Sequence, residues 1–424
     1  MKKRISVLAL AGVFAAGSAM ASAYRIPEQS VNSLALAGAD VAAAHGADAA
    51  YFNPANMSWE ESKELWHVEA DLMYIHLADT QYDSASPVPG ASAPTLSEQF
   101  VFPLFHLVSP EYYGSLRYGI SFTVPGGLSK RWDNWYQAAS AQEFTLEILE
   151  LSPSFSWRAS DKLSIGGGIR LIYSEGVVRS SANAAYLAGT PYGPLGLTDL
   201  NRNLEGDTME FGYNLAISVR PTEELNLAAT YRSNVDLDLE GDATLTAIGG
   251  PLAASYTGAG AVSVPLPAVL TLATSYDFGA TTVELTWDRT FWSEYEDLDF
   301  NYDQTFGPTS AFYNFDRSIA KNWDDSDAYR IGVSHQVNDV LTVMAGFAID
   351  DTPIPDATLS FELPDSKAKI YSVGGRYKLG GTMEVGLAYL YDDKESRTVN
   401  NGHVNGTFSD AQAHLFTAGL SMTF

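Results

Sequence analysis

HLFTAGLSMTF, residues 414–424, ends the chain on a strict alternation. Phe416, Ala418, Leu420, Met422 and Phe424 fall on one face of an extended strand, and Leu415, Thr417, Gly419, Ser421 and Thr423 fall on the other. In a soluble protein a terminal Phe frays into water. A strand with one face in lipid, by contrast, ends well on an aromatic residue, which settles at the membrane interface. The stretch therefore predicts either the closing strand of a transmembrane barrel or an ordinary sandwich strand.

The other terminus decides between them. Lys2, Lys3 and Arg4 precede an apolar run, Ile5 to Ala16, and Ala21-Ser22-Ala23 supplies a small-residue cleavage site, so residues 1–23 read as an export signal and Tyr24 as the first mature residue. No later stretch approaches the roughly 18 to 20 continuous apolar residues that a spanning helix needs. Any membrane span must be made of strands.

Composition agrees. Cysteine is absent, so there is neither a disulfide framework nor a thiolate metal site. The formal charge of -26 becomes -29 once the three signal cations are removed (51 acidic minus 22 basic), which argues against a nucleic-acid partner. Asp324, Asp325 and Asp327, and Asp392 and Asp393, suit solvated loops or divalent cations at a lipopolysaccharide surface. With 23 Tyr, 20 Phe and 8 Trp the chain can furnish aromatic girdles at two membrane interfaces.

From Lys63 onward, alternating segments are separated by turn chemistry. Phe211, Tyr213, Leu215, Ile217 and Val219 lead into Pro221-Thr222-Glu223-Glu224, and Leu225, Leu227, Ala229 and Tyr231 lead out, which is a hairpin. The full reading is strands at 63–77, 98–109, 113–125, 142–158, 161–178, 207–220, 223–240, 261–278, 280–298, 326–337, 339–350, 367–379, 381–394 and 411–424. Fourteen is even, as a bacterial single-chain barrel requires. Short connections alternate with long ones (179–206, 241–260, 299–325), the asymmetry of periplasmic turns and extracellular loops. The expected fold is all-β, a 14-stranded antiparallel transmembrane barrel spanning residues 63–424.

Residues 24–62 are too long for a simple leader. They are rich in Ala and poor in charge, with helix expected mainly over Ser30 to Ala44, and they end in the sharp turn Tyr51-Phe52-Asn53-Pro54-Ala55-Asn56-Met57. A mostly helical hatch inside the lumen fits; a disordered periplasmic extension is the alternative.

IPEQSVNSLALAGA at the mature N-terminus and HGADAAYFNPANM at 45–57 resemble the FadL family of outer-membrane channels for long-chain fatty acids and hydrophobic compounds. LSPSFSWRASDKLSIGGGI (151–169), FGYNLAISVRPTEELNLAATYRSNVDLDLEGD (211–242), VPLPAVLTLATSYDF (264–278), DAYRIGVS (327–334) and FAIDDTPIPDATLSFELPDS (347–366) extend the likeness over nearly the whole mature chain. The most specific elements are the Asn53-Pro54-Ala55 hatch motif and DDTPIPD. The resemblance implies a fourteen-strand barrel in the Gram-negative outer membrane, with a hatch in its lumen. It also implies passive uptake: capture of an apolar ligand in an extracellular groove, transfer to an internal pocket and lateral exit through the wall.

The family's wall opening lies in the third strand, where this chain carries Thr123-Val124-Pro125-Gly126-Gly127-Leu128. Pro125 cannot donate to a ladder and Gly126 and Gly127 permit an inward kink, although the same residues also suit a simple strand end. The resemblance further places Lys321 at the family's ligand-binding lysine. Arg179 falls within a residue of its arginine, an offset that puts the side chain on the other face. Phe52, Met57, Leu128, Trp132, Trp135 and Phe155 are candidates for the apolar lining.

Catalytic alternatives are thin. There is no His-Glu-x-x-His or Gly-x-Ser-x-Gly, the seven histidines are scattered, and no cofactor or metal is implied. Gly166-Gly167-Gly168 sits inside an alternating strand, where it reads as close packing against the hatch. Asp236-x-Asp238-x-Glu240-Gly241 lacks the Glu of a calcium loop, Ala247 standing in its place. The expected partners are a hydrophobic small molecule, outer-membrane lipid and lipopolysaccharide, with the protein acting as a monomer. Aromatic or alkane hydrocarbons are the alternative ligands, and a general porin or a lipid hydrolase the alternative functions.

Overall fold

The computed structural model of the protein describes residues 23–424, so the expected export signal, apart from Ala23, lies outside the described residues. The wall is a single antiparallel sheet closed on itself. Its strands are β1 (His67–Leu77), β2 (Glu98–Val108), β3 (Leu116–Arg131), β4 (Glu143–Ser160), β5 (Leu163–Asn183) and β6 (Asp199–Val219). Strand β7 runs in two segments, Leu225–Arg232 and Val235–Ile248, and β8 in two more, Ala254–Leu266 and Val269–Asp277. The circle continues with β9 (Thr281–Thr290), β10 (Ser326–Asn338), β11 (Leu341–Asp350), β12 (Ala368–Lys378), β13 (Met383–Lys394) and β14 (Gln412–Thr423). That makes fourteen, in the predicted order.

The seam lies where the terminal stretch points. Strand β14 pairs with β1 from His67–Thr423 to Leu77–Ala413. Past that ladder, Trp66 N–H donates to Phe424 O at 2.9 Å and Phe424 N–H to Trp66 O at 3.2 Å. The alternation also has the predicted sense. Phe416, Leu420 and Phe424 are exposed on the outer face, whereas Leu415 and Thr417 are buried inside. A band of Leu72, Phe211, Leu215, Leu285 and Leu387 is likewise exposed, the inversion of a soluble protein that a lipid-facing wall demands.

Two expected loops prove to be strand. Residues in 179–206 and 241–260 extend β5 to β8 well past the predicted boundaries, leaving only 184–198 and 249–253 outside strands at the hairpin tips. Their outward positions are charged, with Asp236, Asp238, Glu240 and Asp242 exposed, while Leu237, Leu239, Ala243 and Leu245 stay buried. The outer face there has the polarity of a loop although the backbone is still paired.

The hatch fills the lumen. Helix α1 (Val31–Ala35) is capped by Ser30, whose Oγ accepts from Ser33 N–H. Helix α2 (Ala49–Phe52) and a 3-10 turn over Pro54–Trp59 follow. The helix expected over Ser30 to Ala44 stops early because the chain must turn around Arg330 of β10, whose Nη1 donates to Ala37 O at 2.9 Å. The turn uses positive φ at Ala37 and Gly38. Ile26, Val31, Leu34 and Leu36 pack with Met73, Phe100, Phe102, Met344, Leu390 and Leu415 of the wall, so the main core of the lower barrel lies between hatch and sheet.

Wall charges anchor the hatch from several sides. Glu284 of β9 accepts backbone N–H bonds from Val41, Ala42 and Ala43 at 2.7, 2.8 and 2.8 Å. Arg330 is ringed by Asp288 (3.0 Å), Asp350 (3.1 Å) and Glu28 (3.8 Å). Arg376 of β12 ties Asn32 to Glu69 of β1. Buried charges are costly unless paired and hydrogen-bonded; Asp288, Asp350, Arg330 and Arg376 are, and Glu284 is held by its three amide bonds, whereas Glu28 has only its 3.8 Å ion pair with Arg330.

Candidate functional site

The site is organised by residues 24–26. Strand β3 pairs with β2 only from Val108–Gly119 to Phe105–Phe122. Above Phe122 its inner partner is the N-terminus: Ile26 N–H donates to Pro125 O at 2.9 Å and Gly127 N–H to Tyr24 O at 2.8 Å. Gln29 adds a two-way contact with the Val124 backbone, 2.8 Å in each direction. The register between β3 and β4 slips between Thr123 and Gly126, so Val124 and Pro125 are skipped. A side chain at Gly126 would meet Tyr24 O at 2.8 Å, so glycine is required for this approach.

The β2 and β3 edges thus separate for part of the wall's height. They rejoin at the top, where Leu96 N–H reaches Arg131 O at 3.0 Å and Glu98 receives bonds from Ser129 and Arg131. The break between β2 and β3, beside Val124 to Gly126 on a strand that stays joined to β4, is bounded above and below.

From its backbone anchor on β3, Tyr24 reaches across the lumen and donates its hydroxyl proton to Pro265 O of β8. Its ring packs edge-on against Trp292 at 4.7 Å. Tyr24 is therefore a crossbar; it lines one cavity, and Arg25 and Ile26, next to it in the chain, line a second.

The upper cavity is lined by Tyr24, Leu128, Phe144, Leu146, Val264, Tyr295, Trp323 and Ile354, together with Lys321 and Glu362. Its side chains leave free about 20 Å³, room for about one water. Lys321 is buried and forms an ion pair with Glu362, and its carbonyl accepts from Thr358. The Glu362 carboxyl is pushed up by burial but ends below the usual carboxylate range because of the Lys321 ammonium. The Tyr295 hydroxyl is pushed well above its ordinary value by burial and by Glu362. The chamber is thus apolar with one internally neutralised polar end.

The lower cavity, about 70 Å³, lies between hatch and wall, lined by Arg25, Ile26, Tyr51, Phe52, Pro125, Arg170, Arg232, Leu266, Pro267, Val269 and Asp288. Arg170 and Arg232 converge on Glu150 at 2.8 and 2.5 Å.

The sequence candidates scatter over this frame. Lys321 and Leu128 line the upper cavity and Phe52 the lower one. Trp132 is buried beside the upper cavity, donating Nε1–H to Phe361 O at 2.9 Å. Trp135 starts a short helix (Trp135–Ala141) in the cap and packs edge-on against Tyr136. Met57 is fully buried in the hatch–wall contact with Ala50 and Val108, away from both cavities. Arg179 departs from its expected role, lying on the outer face in bonds to Glu143, Glu205 and Asn203. Phe155 also faces outward, 45% exposed, because β4 directs Ser154 and Ser156 inward instead.

The hatch motif is structural in its contacts. Asn53 Nδ2 holds Val41 O at 2.8 Å, Pro54 opens the 3-10 turn, and Ala55 O accepts from Ser156 and Ser164 of the wall. Sequence reasoning overlooked Tyr24, Arg25, Tyr295, Trp323 and Glu362. Glu362 stands inside the quoted 347–366 segment, where its charge in an apolar context (SFELP) was the available signal.

A family model described as "Outer membrane protein transport protein (OMPP1/FadL/TodX)" matches residues 12–424. Outer membrane protein P1 of Haemophilus influenzae is 24% identical, covering 99% of this chain and 98% of that protein. The long-chain fatty acid transport protein of Escherichia coli (strain K12) is 25% identical, over 76% of this chain and 77% of its own. Among solved structures, a Pseudomonas aeruginosa FadL homologue superposes with a TM-score of 0.77 at 19% identity, covering 95% of this chain and 99% of the other. The Pseudomonas putida toluene transporter TodX does so with 0.69 at 17% identity and the same coverage.

Proposed function

The chain belongs to the FadL/TodX family of outer-membrane transporters of hydrophobic compounds, and on that premise we propose that it takes up long-chain fatty acids by passive diffusion, through an internal cavity and a lateral exit in its third strand. The observation that carries the fatty-acid reading is Lys321: a buried ammonium at the end of an apolar chamber suits an amphiphile with an anionic head. Glu362 stands in for that head. An arriving carboxylate exchanges with Glu362 at Lys321, while the acyl chain parts the side chains of Leu128, Phe144, Leu146 and Trp323.

Release is the harder half. Burying some fifteen methylenes stabilises a bound chain by about 12 kcal/mol, at about 0.8 kcal/mol each, so return to water is prohibitive. Exit into lipid avoids it. The break between β2 and β3, beside Pro125 and Gly126, offers that path, because an acyl tail leaving there passes from one apolar medium to another. No bond is made or broken on the route. One barrel encloses all of it, which suits a monomer, and the acidic outer positions suit a lipopolysaccharide leaflet.

A second reading, uptake of aromatic or alkane hydrocarbons, is favoured by the Lys321–Glu362 pair being neutral already. Competition separates the two. Lys321→Ala should weaken oleate binding at least roughly tenfold; unchanged oleate binding with strong competition by toluene would remove the fatty-acid reading. A general porin predicts large steady ion currents, whereas the plugged lumen predicts a silent bilayer recording.

A further inference from the structure

Arg25, next to Tyr24 in the chain, lines the lower cavity. Its hydrogen-bond partner there is a neutral hydroxyl, Thr290 Oγ1, at 2.6 Å, and it forms no ion pair with a carboxylate among the described residues. The neighbouring cations are matched. Arg170 and Arg232 share Glu150, and Arg330 is surrounded by Glu28, Asp288 and Asp350. A guanidinium stays charged at any physiological pH and presents a fork of donors that fits a carboxylate. Arg25 therefore has a charge and unused donors facing an open space.

The walls of that space match the rest of such a ligand. Ile26, Phe52, Leu266 and Val269 are apolar, and Pro125 belongs to the stretch of β3 that β2 does not pair. A carboxylate held at Arg25 has its tail beside the break in the wall.

We propose that Arg25 is a second, receiving site for the carboxylate of a long-chain fatty acid, below the Tyr24 crossbar and next to the break in β3. The proposal rests on the fatty-acid reading and adds a direction to it. At the upper site the ligand head competes with Glu362 for Lys321; at the lower site the carboxylate in the lining, Asp288, is already bonded to Arg330 and Thr271 and forms no ion pair with Arg25 among the described residues. Head-group transfer from Lys321 to Arg25 carries the ligand past Tyr24 and delivers the tail to the exit. An uncharged hydrocarbon gains nothing from this step, so Arg25 is also a device for selecting anionic ligands.

The test is flux into proteoliposomes of oleate and of oleyl alcohol, which share a tail and differ in charge, for the wild type, Arg25→Gln, Arg25→Met and Arg25→Lys, each checked for heat-modifiable gel mobility. Both neutral variants should lower the oleate-to-alcohol flux ratio roughly tenfold, and Arg25→Lys should restore most of it. Either neutral variant suffices should the other fail to fold. A ratio unchanged in the neutral variants, or oleate and alcohol falling together, overturns the receiving site while leaving transport intact. A wild type that moves neither compound faster than protein-free vesicles overturns the uptake reading itself, and this site with it.

Discussion

The Cβ that Gly166 lacks would stand 2.4 Å from the backbone nitrogen of Ala55. The wall at β5 and the hatch motif are thus in backbone contact, and the first glycine of the Gly166-Gly168 run is explained by what lies behind it rather than by any turn. Ser156 and Ser164 flank the contact and both donate to Ala55 O. Gly166→Val should force the 3-10 turn off the wall. Overpacking of this kind costs about 1 to 3 kcal/mol or more, and a lowered urea midpoint of the refolded barrel would register it.

Glu284 gathers three amide protons of the hatch. Each bond to a charged acceptor contributes about 1.5 to 3 kcal/mol, and removal leaves three amides unsatisfied. Glu284→Ala should therefore free residues 41–43 and turn a quiet barrel into one with frequent ion-conducting openings. Planar-bilayer recording checks it; a variant as silent as the wild type refutes the anchoring role.

Glu362→Gln removes the internal competitor for Lys321. Oleate affinity should rise about tenfold, while that of toluene stays within about twofold. Equilibrium competition with a labelled fatty acid measures both.

Hatch docking should depend on pH through Glu28. Burial pushes its carboxyl up to about 7, against the partial pull of Arg330, whereas a hatch released into water restores the ordinary value near 4.3. The docked form thus holds the proton more tightly, so its contribution is complete below about pH 4 and is lost as pH rises through 7. Amide protection factors over residues 24–44, each rate divided by the intrinsic rate at its own pH, should be higher at pH 5 than at pH 8, and Glu28→Gln should flatten the difference.

Replacing Gly126 and Gly127 together by valine should collide with the Tyr24 carbonyl and disturb the inward step of β3. Oleate flux should fall about tenfold or more with upper-site binding retained. Undiminished flux by a correctly folded double variant would place the exit elsewhere.

How much of this could be read from residues alone depends on which interactions are periodic. Strand number, seam and facing followed from period two, because lipid outside and protein inside give each strand two unlike faces. Where the outer face meets water instead, as at Asp236 to Asp242, the same paired backbone looks like loop. The contacts that build the site are not periodic. Phe155 was misplaced because an apolar residue one step along a strand moves to the opposite side of the wall, and nothing local in its segment fixes that parity; for Arg179 the one-residue offset from the family's arginine already gave the outward face. Lys321 and Glu362, 41 residues apart, meet only because two extracellular connections fold into the same mouth. Tyr24 and Arg25 escaped notice because a chain end that borders an export signal looks like a tether, whereas here it is a strand partner for β3.

The seam carries a consequence for biogenesis. Strand β1 begins five residues after the 24–62 segment, and its partner β14 follows some 335 residues later in sequence, at Gln412–Thr423. The cylinder cannot close until β14 has been made, and the hatch is tethered directly to one lip of the still-open sheet. Its docking surfaces on β9 to β12 are spread over the opposite arc, so an early association would pull the two lips toward each other. The hatch then serves as a mandrel on which the sheet curls, and variants that weaken its anchoring would show their first defect as slow closure during assembly, before any leak in the finished pore.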